Sequence, residues 1–114
     1  MLFHVVPLAD WAGWSASPAL PYAPPSLAAE GFVHCSADER AALEVADARY
    51  RDVPGPLLAL VIDESLLSAE VRWEGSGDRL FPHVYGPVER AAVTAVLEVR
   101  PGADGRAGEL APRV

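Results

Sequence analysis

Two short stretches hold most of the residues able to do chemistry. His34 lies in Gly31-Phe32-Val33-His34-Cys35-Ser36, and His83 in Phe81-Pro82-His83-Val84-Tyr85-Gly86. Imidazole titrates nearest neutrality of the ordinary side chains, so such residues suit taking a proton from one group and returning it to another. His83 and Tyr85 stand two positions apart, which on a strand puts imidazole and phenol on one face. Glu74 closes Val71-Arg72-Trp73-Glu74 beside a Gly-rich loop. Its carboxylate could serve as a base or stabilise positive charge developing on a sugar. His34, His83 and Glu74 are the catalytic candidates, and His4, Trp11, Tyr22, Ser36 and Tyr85 are candidates for holding a ligand.

Each residue also has a structural reading. His4, inside an apolar run, reads equally as a satisfied core histidine. Ser36 reads first as a helix cap, Trp73 as core, and Glu74 as a solvated strand end. Trp11 and Tyr22 would close a pocket or fill the thin core of a small domain. Cys35 neighbours His34 but points to the opposite face of the same strand, as a buried, inert thiol.

These residues need elements to position them. Ser36 followed by Glu39 spells a capping box, so a strand ending near His34 gives way at once to a helix. That corner offers backbone N–H donors beside the imidazole. Leu2 to Val6 reads as a first buried strand, followed by a short helix around Leu8–Trp14, or a mobile flap. Pro21, Pro24 and Pro25 forbid a long helix here, and a turn or two of helix after Pro25 stops at Gly31. Ala37 to about Arg51 is the main helix, with Ala42, Leu43, Ala46 and Tyr50 at helical spacing. Leu57 to Ile62 is continuously apolar, the pattern of a strand covered on both faces. A strand over 70–74, a loop over 75–78 and an extended 80–85 follow, with Pro82 expected at an edge or bulge. A helical turn at 88–91 and a strand over 92–99 close the domain. The pattern predicts an α+β domain over residues 1–100, with small curved sheets and one main helix, and a flexible tail over 101–114.

The chain has 114 residues, enough for one domain, and 51% hydrophobic residues supply a core. Its single cysteine excludes an internal disulfide. The first residues lack a basic segment followed by an apolar one, and no apolar run approaches the roughly 20 residues that span a bilayer. A cytoplasmic protein is expected, with no membrane partner. The formal net charge is -7, and no basic cluster appears, which argues against gripping a nucleic-acid backbone. A small-molecule ligand and a monomer or weak homodimer are expected.

The spelling also resembles a known family. A histidine in the first strand, a tryptophan soon after, Gly-Phe-Val-His-Cys-Ser at 31–36, the apolar 57–63 segment, Val-Arg-Trp-Glu at 71–74 and Phe-Pro-His-Val-Tyr-Gly-Pro-Val at 81–88 together resemble the bacterial domain-of-unknown-function 952 family. The resemblance runs from about Leu2 to Val99. It implies a fold similar to the ADP-ribosyltransferases, whose sheets meet at a cleft that holds NAD in active members. A weaker likeness, in the order of elements, is to the RNA 2′-phosphotransferases. By that resemblance His4 corresponds to a histidine that hydrogen-bonds a ribose hydroxyl, and His34 with Ser36 to the second motif. Glu74, or His83 with Tyr85, corresponds to the late polar residue. Val5-Val6-Pro7 replaces the Gly and Ser/Thr that bracket the nicotinamide in active members, and Arg72 opens the late polar-x-Glu element.

The resulting expectation is an NAD-dependent ADP-ribosyl- or phosphotransferase-like enzyme acting on a small acceptor, with no metal. Two other readings stay open. One is a non-catalytic module that binds a nucleotide or other small ligand. The second is a metal site built from the three histidines. All the NAD readings require His34 and His83 to line one hollow.

Overall fold

A computed structural model of the protein describes residues 1–15, 20–77 and 79–113. The proline-bearing segment after Trp14 includes residues 16–19, the expected loop includes Asp78 and the expected tail includes Val114, all of which lie outside the described residues. The elements run β1 (Leu2–Pro7), α1 (Leu8–Ser15), α2 (Pro25–Glu30), β2 (Val33–His34), α3 (Glu39–Arg49), β3 (Leu57–Ile62), β4 (Val71–Ser76), β5 (Arg79–Val84), β6 (Val93–Pro101) and β7 (Ala107–Pro112). Short 3₁₀ turns at Glu64–Leu66 and Arg90–Ala92 link the strands.

The strands form two antiparallel sheets, a four-stranded one in the order β1-β3-β6-β7 and a three-stranded one in the order β2-β5-β4. The apolar run of β3 pairs with β1 and β6 and is covered on both sides, as its composition predicts. One face, with Leu2, Val6, Leu58, Leu60 and Ile62, packs against Val33, Cys35 and Val84 of the smaller sheet's segment. The other face, with Val5, meets Ala42 and Ala46 of α3. A backbone bridge joins the sheets: Phe3 N–H donates to Ser36 O at 2.9 Å and Ser36 N–H to Phe3 O at 2.7 Å. This seam brings β1 to the end of β2.

Period-two alternation sorts the smaller sheet into two faces. Val33, Pro82 and Val84 turn into the core, while His34, Phe81, His83 and Glu74 turn to a hollow. Several expectations are corrected here. Asp38, not Ser36, caps α3, its carboxylate accepting from Ala41 N–H at 2.8 Å, and Glu39 instead accepts from Leu110 N–H at 3.0 Å. Ser36 is spent on the bridge to Phe3 before the helix begins. Pro82 sits in the central strand of its sheet. Its carbonyl accepts from Cys35 N–H, so its missing donor faces the side where β2 has already run out. Trp73 is 47% exposed, on the edge strand β4 of the smaller sheet. The expected tail contains β7, which pairs with β6 and lies against α3. Gly31 ends α2 as expected, in the left-handed conformation (φ 86°) that glycine adopts without strain.

Candidate active site

The two distant histidines meet. His34 and His83 are register partners across β2 and β5, and their ring centroids are 5.2 Å apart. Both line a hollow of about 350 Å³ with Phe32, Phe81, Glu74, Arg49, Arg79, Glu30 and Glu44 among its walls. That volume suits a small-molecule site.

Glu74 is the centre of a hydrogen-bonded set. His83 Nδ1 lies 3.0 Å from Glu74 Oε1, and the Tyr85 hydroxyl donates to the same oxygen in a short bond. A carboxylate only accepts, so Nδ1 carries a proton, and in the neutral ring Nε2 holds the lone pair. Hydrogen bonds from Tyr85 and then His83 hold the Glu74 carboxyl below its ordinary range, and the bond to Glu74 raises Tyr85. Phe32 stacks on the His83 ring at 4.0 Å with 15° between planes, and the Arg72 guanidinium lies 4.5 Å from the Tyr85 ring centre. An imidazole oriented by a carboxylate through one nitrogen is a base at the other.

His34 is partly buried. Burial foremost, then the charges at Arg49, His83 and His4, bring it down to about 4, so it is neutral near pH 7. The reading of Cys35 as inert agrees with its complete burial, which pushes its thiol up to about 12.

His4 stands apart from that pair. It is 5% exposed, with Nδ1 2.7 Å from His34 O and Nε2 3.0 Å from the Tyr22 hydroxyl. A carbonyl cannot donate, so Nδ1 carries the proton and Nε2 accepts from Tyr22. Burial lowers the His4 pKa. Both nitrogens are therefore engaged within the protein, and the three histidines do not converge as metal ligands. Among the described residues no group of three His, Cys, Asp or Glu side chains could hold a metal ion.

Tyr22 packs with Trp14 at 5.0 Å and Trp11 at 5.7 Å between centroids. Trp11 is part of that packing and does not reach the His34–His83 hollow. Tyr22 and Trp14 line a second hollow of about 260 Å³ with His4, Asp10 and Tyr50. A smaller cavity of about 50 Å³ is walled by His4, Ser26, Glu30, His34, Ser36, Arg49 and Tyr50. It shares His34 and Arg49 with the first hollow and His4 and Tyr50 with the second.

The structure thus gathers His34, His83, Glu74 and Tyr85 together, sets His4 and Ser36 in the wall of the small cavity, and puts Tyr22 in the second hollow. Sequence reading missed Arg49, Phe32 and Phe81. Phe32 and Phe81 stand two positions before His34 and His83, so strand alternation could have found both. Arg49 had no signal beyond lying near the end of the main helix.

The site therefore defines a small α+β protein with antiparallel sheets, few helices and a histidine-lined cleft. The sequence profile of the proteins of unknown function DUF952 matches residues 5–96, and the chain belongs to that family. It is similar to protein CC0527 from Caulobacter crescentus. The crystal structure of CC0527 is 29% identical, with a TM-score of 0.75 over 94% of this chain and 92% of that one. The solution structure of CC0527 is 26% identical, with a TM-score of 0.71 over 93% and 90% of the two chains. No curated protein matches the chain. Among the described residues no helix is long and apolar enough to cross a membrane.

Proposed function

We propose that the protein is a cytoplasmic transferase acting on an NAD-type dinucleotide and a small-molecule acceptor, with an ADP-ribosyltransferase-like arrangement of sheets around the cleft. The observation that carries this reading is the carboxylate of Glu74, held ionised by Tyr85 and His83, in one hollow with His34. Two hollows with aromatic walls, each sharing wall residues with the small cavity at His4 and His34, suit a ligand with a ring at each end.

The dinucleotide supplies a ribosyl C–N bond whose electron pair leaves with nicotinamide while the sugar carbon bonds to the acceptor. Glu74 stabilises the positive charge that builds on the sugar as that bond breaks. His83, oriented through Nδ1, accepts the acceptor's proton at Nε2. His34, neutral near pH 7, hydrogen-bonds without adding charge, and Phe32 and Phe81 hold a planar ring.

A binding module without turnover is the second reading. It is favoured by His4, whose two nitrogens are already bonded to His34 O and Tyr22, leaving neither for a ribose hydroxyl.

The test is nicotinamide release from NAD by the wild-type protein and by Glu74→Gln, with calorimetric titration of NAD and ADP-ribose. Release that falls about 100-fold or more in Glu74→Gln supports the transferase. Binding without release supports the module, and absence of binding removes both.

A further inference from the structure

Arg49 occupies a position none of the site's chemistry has used. It lies in the last turn of α3, exposed, and lines both the His34–His83 hollow and the small cavity at His4. Other arginines are differently employed. Arg79 is ion-paired to Glu44 at 2.7 Å, Arg72 to Glu70 at 3.1 Å, and Arg90 lies over Trp14 at 3.9 Å while donating to Leu20 O. Among the described residues the Arg49 side chain makes no hydrogen bond or ion pair, although Glu30 lines both the hollow and the small cavity with it.

We infer that Arg49 anchors a phosphate of the ligand at the wall shared by the hollow and the small cavity, with Glu30 accepting from sugar hydroxyls beside it. The ligand class is a sugar phosphate or nucleotide. This rests on the proposed function only in the choice of dinucleotide, because the phosphate anchor is argued from Arg49 and the groups around it.

Four features support it. A guanidinium with its donors unclaimed is a fork matched to phosphate oxygens. Besides Glu30, the polar groups that share this cavity with it are His34 and His4, both with lowered pKa values, with Ser36, Ser26 and Tyr50, so most of its polar surroundings there are neutral. Glu30 is the one carboxylate of the small cavity, and Glu44 and Glu74 in the first hollow are held by Arg79 and by His83 with Tyr85. With a formal net charge of -7, a chain that binds an anion needs such a local cation.

The experiment is calorimetric titration of wild type, Arg49→Gln and Arg49→Lys with ADP-ribose, AMP, adenosine and inorganic pyrophosphate. Arg49 makes no bond that holds the fold, and matching thermal transitions of the three proteins check this. The expected result is tighter binding of AMP than adenosine by wild type, and a 10-fold or greater loss of ADP-ribose and AMP in Arg49→Gln. Adenosine binding stays unchanged, and Arg49→Lys recovers part of the loss. Equal binding of ADP-ribose by wild type and Arg49→Gln overturns the inference while leaving the dinucleotide reading intact. Arg49-dependent binding of AMP or pyrophosphate with none of ADP-ribose keeps the inference and removes the dinucleotide. Failure of every phosphorylated compound to bind wild type overturns both.

Discussion

His4 reaches across the seam between the two sheets to the backbone of His34: its Nδ1 donates to the His34 carbonyl at 2.7 Å. One buried imidazole thus ties β1 to the strand that presents the other. The same ring accepts from Tyr22 through Nε2, so Trp11, Trp14 and Tyr22 are coupled through His4 to the strand bearing His34.

Tyr22→Phe tests that link. It keeps the aromatic packing but leaves Nε2 of a buried histidine without a donor. An orphaned buried acceptor costs about 1–3 kcal/mol, so the variant should unfold at lower denaturant by that amount. Urea denaturation of the pair measures it. Equal midpoints would mean that the hydroxyl contributes nothing to holding His4.

How far the site was legible follows from particular residues. Alternation along Phe32–His34 and Phe81–Tyr85 was readable, and with it the sharing of one face by His83 and Tyr85. The meeting of His34 with His83 depends on which strands pair, a long-range choice that local spelling does not encode. The helix cap was misassigned because Ser36 and Asp38 both precede the helix with cap-forming side chains. Tertiary pairing with Phe3 extended the strand path through Ser36 and passed the cap to Asp38. Trp73 alternates correctly with its neighbours, yet it lies on the edge strand of its sheet, and strand period alone does not say which strand is at the edge.

Acid should weaken the protein before it reaches the carboxylates. His34 has an ordinary value of 6.5 and is brought down to about 4 in the fold, and burial lowers His4 as well. Between about 4 and 6.5 the unfolded chain binds more protons at His34 than the folded one, so unfolding takes up protons and falling pH favours it. Stability should be level near pH 7 and decline as pH drops through that window, by up to one proton per histidine. Glu74, whose pKa is also lowered, adds its loss only below its ordinary value of 4.5. Urea midpoints at pH 7.5, 6 and 5 read this directly, and His34→Asn should flatten part of the slope. A midpoint that does not change between pH 7.5 and 5 would contradict the burial argument for both rings.

The last strand supplies the remaining prediction, and it concerns a segment whose composition concealed its role. Residues 101–114 are rich in Gly, Ala and Pro, the composition of a loose end. Yet β7 pairs with β6 from Leu97↔Pro112 to Pro101↔Ala107. Ala107 N–H donates to Asp47 at 2.8 Å and Leu110 N–H to Glu39 at 3.0 Å, so β7 is bonded to α3 on its other side as well. Leu110 and Ala107 pack against the cluster of Val5, Ala42 and Ala46. A chain ending at Pro101 would uncover that cluster and leave β6 as an unpaired edge. Reburying a leucine-sized side chain alone is worth about 1.5–3 kcal/mol, so the shortened protein should lose at least about 2 kcal/mol in urea denaturation. It should also associate more readily, through the newly exposed edge of β6, as read by sedimentation at increasing concentration. A shortened protein with the full-length midpoint would make β7 a passive appendage and restore the reading of this segment as a tail.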